Sequence, residues 1–394
     1  MRIARTSTQH SELSTKHCLY IVNLSPEDQL RLNVLLAHDV LAIRIDESAM
    51  VVHAWSPSGE ARVPLNPNAR PGHYLKQVRE LLSSHTLGSP GGYPVFLQHW
   101  TRMGQHRNGQ LDKLLLLGEP EAVVAVAGAP GITPELARRV WWLMPEADIA
   151  RRMLEREAVA SSDIGREIAA HLVEHMAFEE DPLTVINTIR LILQPGLVRP
   201  DAVRGIWSRA LHRTTFYKLG FLEAHPDELP DQDKTPSIAV PAMIISLAES
   251  GNRLARQLQR VFSAGGQAYL GTVEELLQHP TDKFTAAVLF NNIGRYFAGI
   301  RDLTDPSVTA ETLLTSLESP AAVAAPEVTA VLEVALPWRT AIAAALALSR
   351  VDESLVTPIL AQTTASGTLL RRKLEPVTDL VSPALVALRN RHPP

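Results

Sequence analysis

Residues 130–142 read PGITPELARRVWW, and residues 195–207 read PGLVRPDAVRGIW. Pro130-Gly131-Ile132 is matched by Pro195-Gly196-Leu197, Pro134-Glu135 by Pro200-Asp201, Arg138 by Arg204, and Val140-Trp141 by Ile206-Trp207. The offset of about 65 residues is roughly two helix-hairpin repeats. Each copy holds a tight turn, a proline suited to the first helical turn and an acid near the positive helix end. Each then closes with an apolar stripe ending in tryptophan. Helix pairs stacked side by side bury such stripes. Residues 119–213 are therefore expected to form a helical-repeat region, with helices near 120–127, 134–144, 147–157, 163–176, 182–193 and 200–213.

Outward from that region the pattern changes. Towards the N-terminus, Ser25-Pro26-Glu27-Asp28 carries a helix cap, a first-turn proline and two acids. After that helix, Leu41–Asp46 alternates as a strand, and the stretches 50–55 and 60–65 flank Ser56-Pro57-Ser58-Gly59 as a hairpin. A helix from about His73 to Ser84 completes a small α+β unit. The segment 88–105 carries glycines and prolines and is read as a connector, with Trp100 expected between two units. Towards the C-terminus, Ala224 to Pro236 is acidic and proline-bearing and reads as a linker. Further helices follow, the last of them weak. The expected fold is mainly α: a small N-terminal α+β unit followed by a solenoid-like helical-repeat array. Its expected divisions are a disordered leader at 1–24, an α+β domain at 25–106, a helical-repeat domain at 107–229 and a C-terminal helical domain at 237–394.

Composition sets limits on function. The chain has 394 residues, 45% hydrophobic and 20% charged, which suits a globular protein of more than one domain. Its formal charge of −4 disfavours a general nucleic-acid binder, which needs a basic excess. Cys18 is the single cysteine, so neither an internal disulfide nor a thiolate metal cluster is possible, and the cytoplasm is the expected compartment. No stretch approaches the roughly 18–20 apolar residues that cross a bilayer, so no membrane partner is expected.

Two constellations bear on chemistry. His171-Leu-Val-Glu174-His175 has the H-x-x-E-H spacing of the inverzincin metallopeptidases, which it resembles over about eight residues. On a helix the two imidazoles stand one turn apart. They would hold zinc with Glu249 as a third ligand while Glu174 activates water. The opposing reading sets Ile164, Ile168, Leu172 and Met176 on a buried stripe with both histidines beside it. The second constellation is basic and aromatic, around Trp100, Arg102 and Arg107. It suits stacking and pairing with an anionic partner, including single-stranded RNA.

At LRLNVLLAHDVLAIRIDES (30–48), LGSPGGYPVFLQHWTRMGQ (87–105), LLLLGEPEAVVAV (114–126) and RRVWWLMPEADIARRMLERE (138–157), the chain resembles the sulfur reduction protein DsrS family. The likeness runs from about Leu30 to Leu229. It implies an accessory protein of the reverse dissimilatory sulfite reductase pathway, supporting sulfur-globule oxidation by influencing production of the pathway's proteins. It carries no residue roles. The leading reading is thus a non-enzymatic regulatory protein without a cofactor, acting on protein partners of the sulfur-oxidation machinery through a surface that includes Trp100, Arg102, Arg107 and Arg138. The alternatives are a zinc-dependent hydrolase and an RNA-binding post-transcriptional regulator.

Overall fold

A computed structural model describes residues 24–87, 111–210, 216–316 and 325–389. The chain divides into two compact units, Met1–Met144 and Pro145–Pro394. As expected, helices dominate, and the one sheet among the described residues has three antiparallel strands near the N-terminus.

The first unit runs α1 (Pro26–Leu36), β1 (Ala42–Asp46), β2 (Val51–Ser56), β3 (Gly59–Pro64), α2 (Pro71–Leu87), α3 (Leu111–Leu114), α4 (Pro120–Ala127) and α5 (Pro134–Leu143). Side chains alternate across a strand. One face therefore presents Ile43, Val52, Ala54 and Val63, which pack with Leu32 and Leu36 of α1 and Tyr74, Val78 and Leu82 of α2. Asp28 is fully buried here and is held through one oxygen, while its Oδ1 has no hydrogen-bond partner among the described residues and lies 4.0 Å from Arg31 Nη1. Its Oδ2 accepts from the Tyr74 hydroxyl at 2.5 Å and from the Asn66 backbone N–H at 2.7 Å. Residues after α3 return beside β1, where the Ile43 N–H donates to the Leu115 carbonyl at 2.9 Å.

The second unit begins α6 (Ala147–Leu154), α7 (Glu157–Ala160), α8 (Asp163–His175), α9 (Pro182–Ile192), α10 (Pro200–Arg209) and α11 (Phe216–Ala224). It continues α12 (Ala242–Glu249), α13 (Arg253–Phe262), α14 (Ala264–Gln278), α15 (Lys283–Tyr296), α16 (Ala310–Thr315), α17 (Pro326–Val334), α18 (Arg339–Leu348), α19 (Thr357–Leu360) and α20 (Gly367–Arg389). Leu254, Leu258, Val261 and Phe262 make α13 a core helix. No single described helix is long and apolar enough to cross a membrane; Pro326–Val334 and Leu336–Leu348 qualify only as a pair, and they bend by 118°.

Three features depart from the sequence expectation. First, both echoed segments are helices starting at proline, α5 and α10, with Trp141 and Trp207 buried. The division at Met144/Pro145 nevertheless falls between them, where the sequence placed a boundary at 106/107. Second, α20 is one helix through Pro376 and Pro383. The prolines are seven residues apart, hence on one face, and that face is exposed opposite Leu370, Leu374, Val377, Val381 and Leu388. The carbonyls that lose their partners belong to Arg372 and Asp379, both exposed residues.

Third, residues 224–236 are a packed strap within the second unit instead of a free linker. Leu229 is buried. Asp227 accepts from Arg260 Nε at 2.8 Å and from the Tyr296 hydroxyl at 2.9 Å, while Asp231 accepts from Trp207 Nε1 at 2.5 Å. The Arg260 guanidinium lies 3.9 Å from the Tyr296 ring centre, and that ring stacks on Tyr269 at 3.8 Å. Burial pushes both tyrosine hydroxyls well above the usual phenol range, so Tyr296 stays a donor. The strap approaches α14 so closely that a Cβ at Gly265 would stand 2.1 Å from the Asp227 carbonyl oxygen. Gly265→Ala is therefore expected to lower stability by about 1–3 kcal/mol, the usual range for overpacking. Gly205→Ala, where a Cβ meets nothing within 4 Å on α10, should be neutral or stabilising. Denaturant titration of both variants checks this; equal stabilities would mean the strap is not held against α14.

Candidate interaction face

The face of the sheet turned away from α1 and α2 has a different chemistry. Strand register sets Arg44 opposite His53 and His53 opposite Arg62, a row of three nitrogen-rich side chains. That row is flanked on one side by Ala42, Trp55 and Glu60 and on the other by Asp46, Val51 and Pro64. Period-two alternation alone produces this: the residues between them, Ile43, Ala54 and Val63, are the ones committed to the core.

Helix α5 adds to this face. Thr133 caps it, its hydroxyl accepting from the Leu136 N–H at 3.2 Å, with Pro134 in the first turn. Ala137, Val140, Trp141 and Leu143 are buried, which turns Trp142 outward from that stripe. Trp142 meets Trp55 at 5.8 Å between ring centres, tilted by 35°. Its indole N–H donates to Glu60 Oε1 at 2.6 Å, and the Arg44 guanidinium stands 5.0 Å from its ring centre. Arg44 Nη1 also reaches the Trp142 carbonyl at 3.5 Å. Arg138 is exposed four residues earlier on α5, hence on the Trp142 side. The result is an aromatic pair edged by Arg44, Arg62 and Arg138.

Within the arginine row His53 is buried, and burial is the main cause holding its imidazole below the usual range. The charges of Arg44 and Arg62 push the same way, opposed by Asp46 and Glu60. The Asp46 carboxyl is lowered chiefly by the Ala49 backbone N–H and the Ser48 hydroxyl.

Of the surface read from sequence, Arg138 lies on this face, whereas Trp100, Arg102 and Arg107 lie outside the described residues. The residues that reading missed are Arg44, Trp55, Glu60, Arg62 and Trp142. The strand alternation and the Trp141-Trp142 pair were the available signals. What the sequence hides is that α5 brings the second indole onto the first.

The zinc constellation is not assembled. His171 and His175 stack face to face, 4.0 Å between centres, instead of opening towards a shared point. His175 Nδ1 donates to the His171 carbonyl of its own helix at 2.9 Å. Burial foremost, then the His175 charge, lowers the His171 imidazole, with Glu174 opposing. Glu174 is exposed, and Glu249 ends a different helix, α12. Among the described residues no group of three or more His, Cys, Asp or Glu side chains could hold a metal ion. The H-x-x-E-H spacing here is that of a surface helix whose other side, Ile164, Ile168 and Leu172, is core.

The folded pKa of His53 lies below its unfolded value, so protonation costs more in the folded chain. Its contribution to stability is complete above the unfolded imidazole pKa, about 6.5, and is lost as the pH falls through the lower folded value. Melting temperature should therefore fall on acidification below that point, and His53→Gln should flatten the fall. Identical pH profiles for the two proteins would contradict the burial of a neutral imidazole. Comparison of the chain with protein families, with characterised proteins and with solved structures gives no match.

Proposed function

We propose that this protein acts by macromolecular contact and not by catalysis, as an accessory or regulatory protein, with the outer sheet face and α5 as its docking surface. The observation that carries this reading is the exposed edge of the Trp55–Trp142 pair with Arg44, Arg62 and Arg138 around it. Tryptophan and arginine dominate the energetic centres of protein interfaces, because each offers a large, rigid contact area with a polar handle. A three-stranded sheet backed by two helices holds those groups in place before a partner arrives, which lowers the ordering cost of binding. The resemblance between residues 30 and 229 and the DsrS family supplies the context: support of dissimilatory sulfur oxidation, with partners among that machinery.

A second reading, RNA binding at the same face, has one observation in its favour. The two units differ modestly in charge, with 14 Lys and Arg against 12 Asp and Glu within Met1–Met144 and 24 against 30 within Pro145–Pro394, so the chain's net acidity lies in the second unit. Aromatic rings beside guanidinium groups also suit unstacked bases.

Affinity capture from the native host separates the two. Arg62 and Arg138 are exposed, so the double variant Arg62→Ala/Arg138→Ala should fold as the parent does. It is expected to lose its partner, with the parent's capture resistant to nuclease. Capture abolished by nuclease, and falling steeply with salt, would favour RNA. Capture unchanged in the double variant would remove the face from the account.

A further inference from the structure

Strand β3 ends the sheet, and among the described residues no strand lies on its outer side. Backbone parity decides which of its groups are open there. The Trp55 carbonyl accepts from the Leu41 N–H at 2.7 Å, so residue 55 turns its backbone towards β1. Its neighbours Ala54 and Ser56 then turn theirs towards β3, where their partners are Ala61 and Gly59. Leu65 keeps the same parity, its N–H donating inward to the Met50 carbonyl at 2.8 Å. Glu60, Arg62 and Pro64 are thus left pointing outward. Proline has no N–H, so Glu60 and Arg62 are the residues of this edge with both a donor and an acceptor to offer.

The side chains along the edge are open as well. Glu60 and Arg62 are exposed on the outer face, and Ala61 is exposed although it shares the inner face with buried Val63. Charged residues on an edge commonly guard against pairing. Here the two charges are opposite in sign and two residues apart, which blocks some pairings and matches one. Two identical strands run antiparallel about a two-fold axis, and each residue then meets its counterpart across that axis. With only Glu60 and Arg62 reaching out, the axis passes through residue 60, 61 or 62. At residue 60 it sets Glu60 against Glu60. At residue 62 it sets Arg62 against Arg62 and brings Glu60 opposite Pro64, which has no N–H to give. At residue 61 each Glu60 stands opposite the other copy's Arg62 in a hydrogen-bonded pair, with Ala61 opposite Ala61 in the closer pair between them. That register alone satisfies every open group of both residues, matches both charges and covers Ala61.

We propose that the chain pairs with a second copy of itself along β3, in the register centred on Ala61, joining the two sheets into one. The pairing rests on the strand edge and not on what the outer face binds.

The test uses the full chain carrying Cys18→Ser, which removes its single cysteine. Closely spaced antiparallel pairs hold their Cα atoms about 4.5 Å apart, within disulfide reach. Ala61→Cys in that chain is expected to give a covalent dimer on mild oxidation, whereas Glu60→Cys, offset from its own copy along the strand, is not. Sedimentation velocity of the parent chain up to about 100 μM, the regime of a small transient interface, is expected to show a concentration-dependent dimer. Arg62→Glu sets like charges at both pairs and should weaken it about tenfold. Glu60→Arg/Arg62→Glu restores opposite charges and should recover most of that loss. A parent that stays monomeric would overturn the proposal. So would equal crosslinking from positions 60 and 61, undiminished dimer in Arg62→Glu, or a double variant no stronger than Arg62→Glu alone.

Discussion

The contact of Trp142 with Trp55 is the interaction on which the account of the first unit rests. A sheet of three short strands has one face to spare once α1 and α2 cover the other. That spare face carries Arg44, His53 and Arg62, which cannot be a core. An indole solves part of the problem, because it offers apolar area to Trp55, a ring face to the Arg44 guanidinium and an N–H to Glu60. Helix α5 is thereby attached through its outward residue while its buried stripe serves the helices beside it. The groups that fix the helix, Trp55, Trp142 and Arg44, are half-buried, so part of each remains at the surface.

The second unit uses a different device. Its acidic strap crosses between helices and is held by Asp227 and Asp231, each taking a hydrogen bond from an aromatic or guanidinium donor. Both carboxylates stay part-exposed, and they act as fasteners because Arg260, Tyr296 and Trp207 reach them as donors. The missing side chain at Gly265 lets the strap backbone lie directly on α14. Composition made 224–236 look like a tether. Charge and proline content describe how a segment behaves alone, and this one is not alone.

Much of the fold was legible because its signals are local. Proline at the first helical position marks the starts of α4, α5, α9, α10 and α17, and it does so without reference to any neighbour. The strands were readable from alternation, to within a residue at most ends. The failures are where tertiary contact overrides local preference. Pro376 and Pro383 hid the continuity of α20, whose buried stripe outweighs two lost hydrogen bonds. The candidate face was legible only in part. Arg44, His53 and Arg62 share a face by arithmetic, but the meeting of residues 55 and 142 depends on a helix docked on a sheet. At the H-x-x-E-H spacing it is the opposing reading, a buried stripe of Ile164, Ile168 and Leu172 with both histidines beside it, that agrees with the structure. Spacing along a helix puts two imidazoles near each other and says nothing about whether a third ligand comes to meet them.

The central claim is that the outer sheet face touches another macromolecule. Its most direct measurement is site-specific photo-crosslinking in the native host, with a photoreactive amino acid in place of Arg62 and, as a reference, in place of exposed Arg190 on the second unit. The account predicts a discrete protein adduct from position 62, reduced when Trp142→Ala is added to the same chain. No adduct from position 62, or one that position 190 gives equally, would contradict it.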